Sequence, residues 1–136
     1  MREFAIDLLE SQGIAFELRA PQKYQYMVLS LESRRQLFLI FKECIHNAAR
    51  HSQCTQVMAE FLVSGQEVLL RVQDNGRGLN GNGTAPRSQG GNGIPGMRRR
   101  ADSLGGQIAW STSLGGGCTV EARIPIRQST FGKRAL

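Results

Sequence analysis

Residues 41–52, Phe-Lys-Glu-Cys-Ile-His-Asn-Ala-Ala-Arg-His-Ser, decide the reading, because two stripes of different chemistry run along them at helical spacing. Leu37, Ile40, Phe41, Cys44, Ile45, Ala48 and Ala49 recur at the three- and four-residue intervals of one apolar helix face, and Ser30 can cap the first turn. A helix is therefore expected from Ser30 to about His51. Glu43, Asn47, Arg50 and His51 fall within roughly 80° of one another at 100° per residue. Their stripe lies beside the apolar one, so these side chains can face a semi-enclosed cavity. They can equally form a half-buried polar edge with an Asn to Arg contact.

Upstream, residues 2–12 read as a short amphipathic helix ended by Gly13, and Ile14 to Leu18 alternates like a strand. Downstream, Thr55 to Leu62 and Glu67 to Gln73 are strand-like runs at hairpin spacing. Between Gly76 and Gly96 the chain places eight of its sixteen glycines, too many for a packed helix or regular strand. A glycine-rich loop of that length inside a small domain is usually functional or disordered. Gly93 to Leu104 then reads as a helix with Met97, Ala101 and Leu104 inward, closed by Gly105 and Gly106. Two strands, Gln107 to Ser111 and Cys118 to Pro125, complete the domain at residues 1–127, and residues 128–136 read as a flexible basic tail.

The 136 residues suit one domain, and 40% hydrophobic with 21% charged residues is the composition of an ordinary globular protein. No run of apolar residues is long enough to span a bilayer, so no direct membrane insertion and a cytoplasmic location are expected, with a parent protein that could be anchored in the inner membrane. Cys44, Cys54 and Cys118 have neither disulfide-framework nor zinc spacing. The net charge of +6 lies wholly in the second half, since residues 1–73 carry eight Lys/Arg and eight Asp/Glu, and residues 74–136 carry nine and three. That half should attract an anion. Nucleic acid is not expected, because no basic helix or row of aromatic platforms is present; a polyphosphate fits better.

Three further stretches carry chemistry. In Asp74-Asn75-Gly76-Arg77-Gly78-Leu79, directly after a strand, the carboxylate can accept from an exocyclic amine while the glycines admit a flat ligand; the same residues can be a tight Asn-Gly turn. Gly91-Asn92-Gly93-Ile94-Pro95-Gly96-Met97 opens a helix, where free amides and the helix dipole favour phosphate. It is not a dinucleotide fingerprint, because loop rather than strand precedes it and no acidic residue stands about 20 positions later. Gly115-Gly116-Gly117-Cys118-Thr119 opens the last strand and alone is only a turn.

The order of these elements resembles the catalytic ATP-binding domain of bacterial two-component sensor histidine kinases, in the superfamily shared with gyrase, the 90-kDa heat-shock chaperone and mismatch-repair ATPases. FKECIHNAARHS is similar to its N box, DNGRGL and GNGIPGMRRRADSLGG to its two glycine boxes, and GGGCTVEARIPI to its closing strand. GM followed by a basic run, Ala and LGG looks like the nitrate-sensing branch. The resemblance implies an α+β fold of the Bergerat type: a two-layer sandwich with a mixed sheet of about five strands under about three helices. It implies that Asn47 coordinates Mg²⁺ on the ATP phosphates and that Glu43 accepts a proton from an attacking histidine. Arg50 and His51 would lie near the phosphates. Asp74 would bind the adenine amine in a pocket shaped by Gly76, Gly78 and Leu79, and Gly91, Gly93, Ile94, Gly96 and Met97 would line the triphosphate. The family's closing motif has Thr where this chain has Cys118, so Thr119 is the available hydroxyl. The implied partners are a separate dimerisation domain bearing the phosphoacceptor histidine and a response regulator. Neither His46 nor His51 is placed to be that acceptor, both lying on the helix that would hold the metal. An anti-sigma-factor-type serine kinase and a non-catalytic interaction module of the same fold are the competing readings.

Overall fold

The computed structural model describes residues 1–20, 29–51, 53–76, 93–112 and 116–126. The expected tail, Gly78, Leu79 and Gly91 lie outside them, as does the side chain of His51.

Eight elements follow in chain order: α1 (Arg2–Glu10), β1 (Ala15–Arg19), α2 (Leu31–His51), β2 (Gln56–Ser64), β3 (Glu67–Asp74), α3 (Gly93–Ser103), β4 (Gln107–Thr112) and β5 (Cys118–Pro125). The strands form one mixed sheet in the order β1-β2-β3-β5-β4, with β1 parallel to β2 and every other pair antiparallel. The fold is α+β, three helices against a five-stranded sheet.

Local chemistry places the ends of the elements. The Ser30 hydroxyl accepts from the Ser33 N–H at 3.0 Å, capping α2 as its sequence suggests. α3 closes with crossed bonds, Gly106 N–H to the Ala101 carbonyl and Gly105 N–H to the Asp102 carbonyl, both 2.9 Å, with Gly105 at φ +72. One face of each strand is apolar: Val57, Ala59 and Phe61, then Val68, Leu70 and Val72, then Ala122 and Ile124. Against it pack Leu37, Ile40, Phe41, Cys44, Ile45 and Ala48 of α2, all buried. Burying such a set is the main stabilising contribution, about 25 cal/mol for each Å² of apolar surface removed from water.

The other face of the sheet is polar. Arg71 stands directly opposite Glu121 on β5 and Glu60 on β2, and bonds both, at 3.1 and 3.2 Å. Arg123 joins the row through Glu67 at 3.3 Å.

α2 is flanked differently on its two sides. On one, α1 inserts Phe4 edge-on against Phe38 and His46, with the Lys42 ammonium 5.2 Å from the Phe4 ring. On the other, α3 runs antiparallel: Arg100 donates to Gln36 at 2.9 Å near the start of α2, and Met97 meets Cys44 further along, sulfur to sulfur at 3.8 Å. The start of α3 is thereby carried toward the second half of α2.

Candidate functional site

Glu43 and Asn47 sit one turn apart on α2, both half-buried, and Arg50 one turn further is exposed. Helical geometry sends them to the flank that α2 shares with α3, since Gln36 and Cys44 make the α3 contacts from that side. His51 ends the same helix. The polar stripe thus faces the region where α3 begins at Gly93.

Asp74 ends β3 and is half-buried. One of its oxygens, Oδ1, accepts from the Gly76 N–H at 2.9 Å and from the Cys118 N–H at 3.3 Å. Burial holds its carboxyl above the usual carboxylate range, and the two amides offset part of that effect. Among the described residues no bond to Oδ2 is seen, so Asp74 carries an acceptor at the sheet end of the helix layer.

Asn75 does work the Asn-Gly turn reading does not anticipate. Its amide oxygen accepts from the backbone N–H of Thr55 at 2.9 Å and of Gln56 at 3.0 Å, while its amide nitrogen donates to the Thr55 hydroxyl at 2.9 Å. The side chain therefore clamps the end of β3 to the start of β2, and Asp74 makes the local turn bond to Gly76. An Asn directly after a strand is the sequence signal, but it reads as a turn former until the neighbouring strand is known.

Gly117 presses against the same turn. A Cβ there would lie 2.0 Å from the Asp74 carbonyl oxygen, and its φ is +90. Replacement of Gly117 by Ala is expected to cost more than about 2 kcal/mol in chemical denaturation, from a backbone conformation disfavoured for L-residues plus the clash. A midpoint unchanged from the native chain would show that this approach is not needed.

Thr119, expected as the pocket hydroxyl, is not brought to Asp74. It pairs with Gln73, and strand alternation sends both to the polar face of the sheet, while Asp74 and Cys118 face the helices. The run Cys118, Val120, Ala122, Ile124 in the sequence already carries that alternation. Among the remaining expected residues, Gly76 lies beside Asp74, Ile94 is half-buried against the core, and Gly96 is in the first turns of α3. Met97, 1% exposed, forms the floor of the α2–α3 junction rather than a lining open to solvent.

Among the described residues no cluster of three or more His, Cys, Asp or Glu side chains could hold a metal, and no helix is long and apolar enough to cross a membrane.

The chain is an α+β sandwich with a half-buried carboxylate at the sheet end and a polar stripe on the central helix, and its relatives show the family. Residues 32–128 match the family of histidine kinase-, DNA gyrase B- and HSP90-like ATPases, and the chain belongs to that family. It is 34% identical over 92 residues to the sensor protein VraS of Staphylococcus saprophyticus, covering 68% of this chain and 26% of VraS. VraS of Staphylococcus haemolyticus is similar to the same extent. The chain thus spans about a quarter of the length of these relatives. In fold it is similar to the blue-light activated histidine kinase EL346 of Erythrobacter litoralis, with TM-score 0.76 and 20% identity, covering 96% of this chain and 42% of that one. It is also similar to the histidine kinase AdeS of Acinetobacter baumannii, with TM-score 0.72 and 19% identity, over 93% and 64% of the two chains.

Proposed function

We propose that the chain binds Mg-ATP and acts as the catalytic domain of a sensor histidine kinase, transferring the γ-phosphoryl group to a histidine on a separate dimerisation domain for relay to a response regulator. The observation that carries the ATP reading is Asp74, held on the helix face by two backbone amides at Oδ1, with no partner for Oδ2 among the described residues. Such an acceptor suits the 6-amino group of adenine. The kinase assignment draws on the similarity to VraS.

Asn47 offers a neutral amide oxygen on the flank toward the start of α3, a hard ligand of the kind Mg²⁺ takes. The metal would neutralise phosphate charge. Glu43, one turn earlier, would accept the proton of the attacking imidazole, and Arg50, His51 and the opening of α3 at Gly93 and Gly96 would hold the phosphates. Gly76 would admit the base against Asp74, in a pocket continued by Gly78 and Leu79, and Gly91 would extend the phosphate cradle.

Calorimetric titration of ATP into the chain, with and without Mg²⁺, tests this. Saturable binding that Mg²⁺ strengthens is expected. Asn47→Asp should weaken binding about tenfold without the metal, because a second anion faces the phosphates, and Mg²⁺ should recover most of the loss. Absence of binding at millimolar ATP would favour the interaction-module reading.

A further inference from the structure

We propose that Arg100 is a positioning residue for the phosphate end of the site: its bond to Gln36 sets how α3 lies on α2, and so where Gly93 and Gly96 stand relative to Asn47. This rests on the ATP reading above, in which the start of α3 holds phosphates, and adds the pair of side chains that keeps that start in place.

The contact is a relay of three side chains. Arg100 Nη1 donates to Gln36 Oε1 at 2.9 Å, and Gln36 Nε2 donates to Glu32 Oε1 at 2.7 Å. The Gln36 amide is thus held at both ends, between a cation and a carboxylate that polarise it in the same direction. The two charges also suit their helices, since Glu32 lies in the first turn of α2 and Arg100 in the last turn of α3. Each faces the helix-dipole end of opposite sign. Arg100 and Gln36 are half-buried, so water competes only in part for their bond.

The apolar contacts of α3 do not fix its direction. Met97, Ala101 and Leu104 are buried and press the helix inward, but apolar contact has no preferred direction. Met97 meets Cys44 sulfur to sulfur at 3.8 Å through an unbranched, flexible side chain. The next residue, Arg98, stacks over the Trp110 ring of β4, 4.9 Å from its centroid. The middle of α3 is therefore held between α2 and β4. Arg100 acts on one side of that hold, and Gly93 and Gly96 lie on the other. At 1.5 Å per residue Gly93 stands about 6 Å beyond Met97, so a tilt of about 10° moves the helix start by about 1 Å. A shift of that size is enough to loosen contacts to a phosphate.

The test is a double-mutant cycle on the full chain, with Mg-ATP affinity read by calorimetry and adenosine affinity by nuclear magnetic resonance titration. Arg100→Met, which keeps an apolar stem and removes the donor, should weaken Mg-ATP about tenfold and adenosine less than about twofold, because adenosine brings no phosphate to α3. Gln36→Leu should give the same pattern, and the double variant should lose no more than either single one. Arg100→Lys, which retains the charge and a donor, should fall between Arg100→Met and the native chain. Should Arg100→Met not fold, Gln36→Leu and Arg100→Lys carry the test. Equal losses for ATP and adenosine would overturn the proposal, since a merely weakened fold does not distinguish the two. Native ATP affinity in Gln36→Leu would overturn it as well, showing that Arg100 acts without its partner, and would leave the ATP site standing. Failure of the native chain to bind ATP would overturn the ATP reading and this proposal with it.

Discussion

Replacement of Asp74 by Asn should weaken ATP binding by at least about 100-fold, the loss of a charge-assisted hydrogen bond combined with two donors set face to face. The substitution is nearly isosteric. The amide oxygen can still accept from the Gly76 and Cys118 amides that now bond Oδ1, so the turn should hold its shape while the remaining atom changes from acceptor to donor. Stability should move the other way. Because burial raises Asp74 in the folded chain, the folded form keeps its proton to higher pH than the unfolded form does. The contribution of this carboxyl to stability is therefore full below the unfolded value and is lost as pH rises through the folded value. At neutral pH the Asn variant should melt higher than the native chain, and the gap should close in acid. Calorimetric binding and melting across pH 3 to 8 read both arms. Retained ATP affinity would remove Asp74 from the base site, and a lower melting temperature at pH 7 would show that its charge stabilises the fold.

Replacement of Glu43 by Gln is expected to lower phosphoryl transfer by about 100-fold or more, with ATP affinity changed only severalfold, the signature of a lost proton acceptor. Glu43 is half-buried one turn before Asn47, on the flank of α2 toward the start of α3. The amide keeps the size of the side chain and removes its basicity. The measurement is transfer of labelled γ-phosphate to a histidine-bearing dimerisation domain of a sensor kinase supplied in trans. Transfer within threefold of the native rate would assign proton removal to another group.

The elements themselves were legible because each obeys a local rule. α2 begins at its Ser30 cap and keeps its apolar face for its full length, and β5 runs over the expected Cys118 to Pro125. The order of the strands was not, because the parallel pairing of β1 with β2 depends on how α2 crosses the sheet rather than on residues within either strand. That Asp74 ends a strand and that Glu43, Asn47 and Arg50 share one flank of α2 was legible from residue type and spacing. Thr119 was named only as the hydroxyl next to Cys118, which holds the motif position, and the alternation of β5 places it on the face away from Asp74. The roles of Asn75 and of Gln36 toward Arg100 depend on residues 20 and 64 positions away, which no local pattern reveals.

The salt-bridged outer face of the sheet has a bearing on how a ligand arrives. It carries Glu17, Glu60, Glu67 and Glu121 against Arg19, Arg71 and Arg123, so that side is slightly acidic. The opposite layer is modestly basic: α2 carries four Lys/Arg and two Glu and α3 three Arg and one Asp, against one Arg and three acidic residues on α1. Among the described elements the basic excess therefore lies on α2 and α3. A diffusing polyanion would be attracted most strongly at α2 and α3, and that bias should fade as added salt shortens the reach of the field.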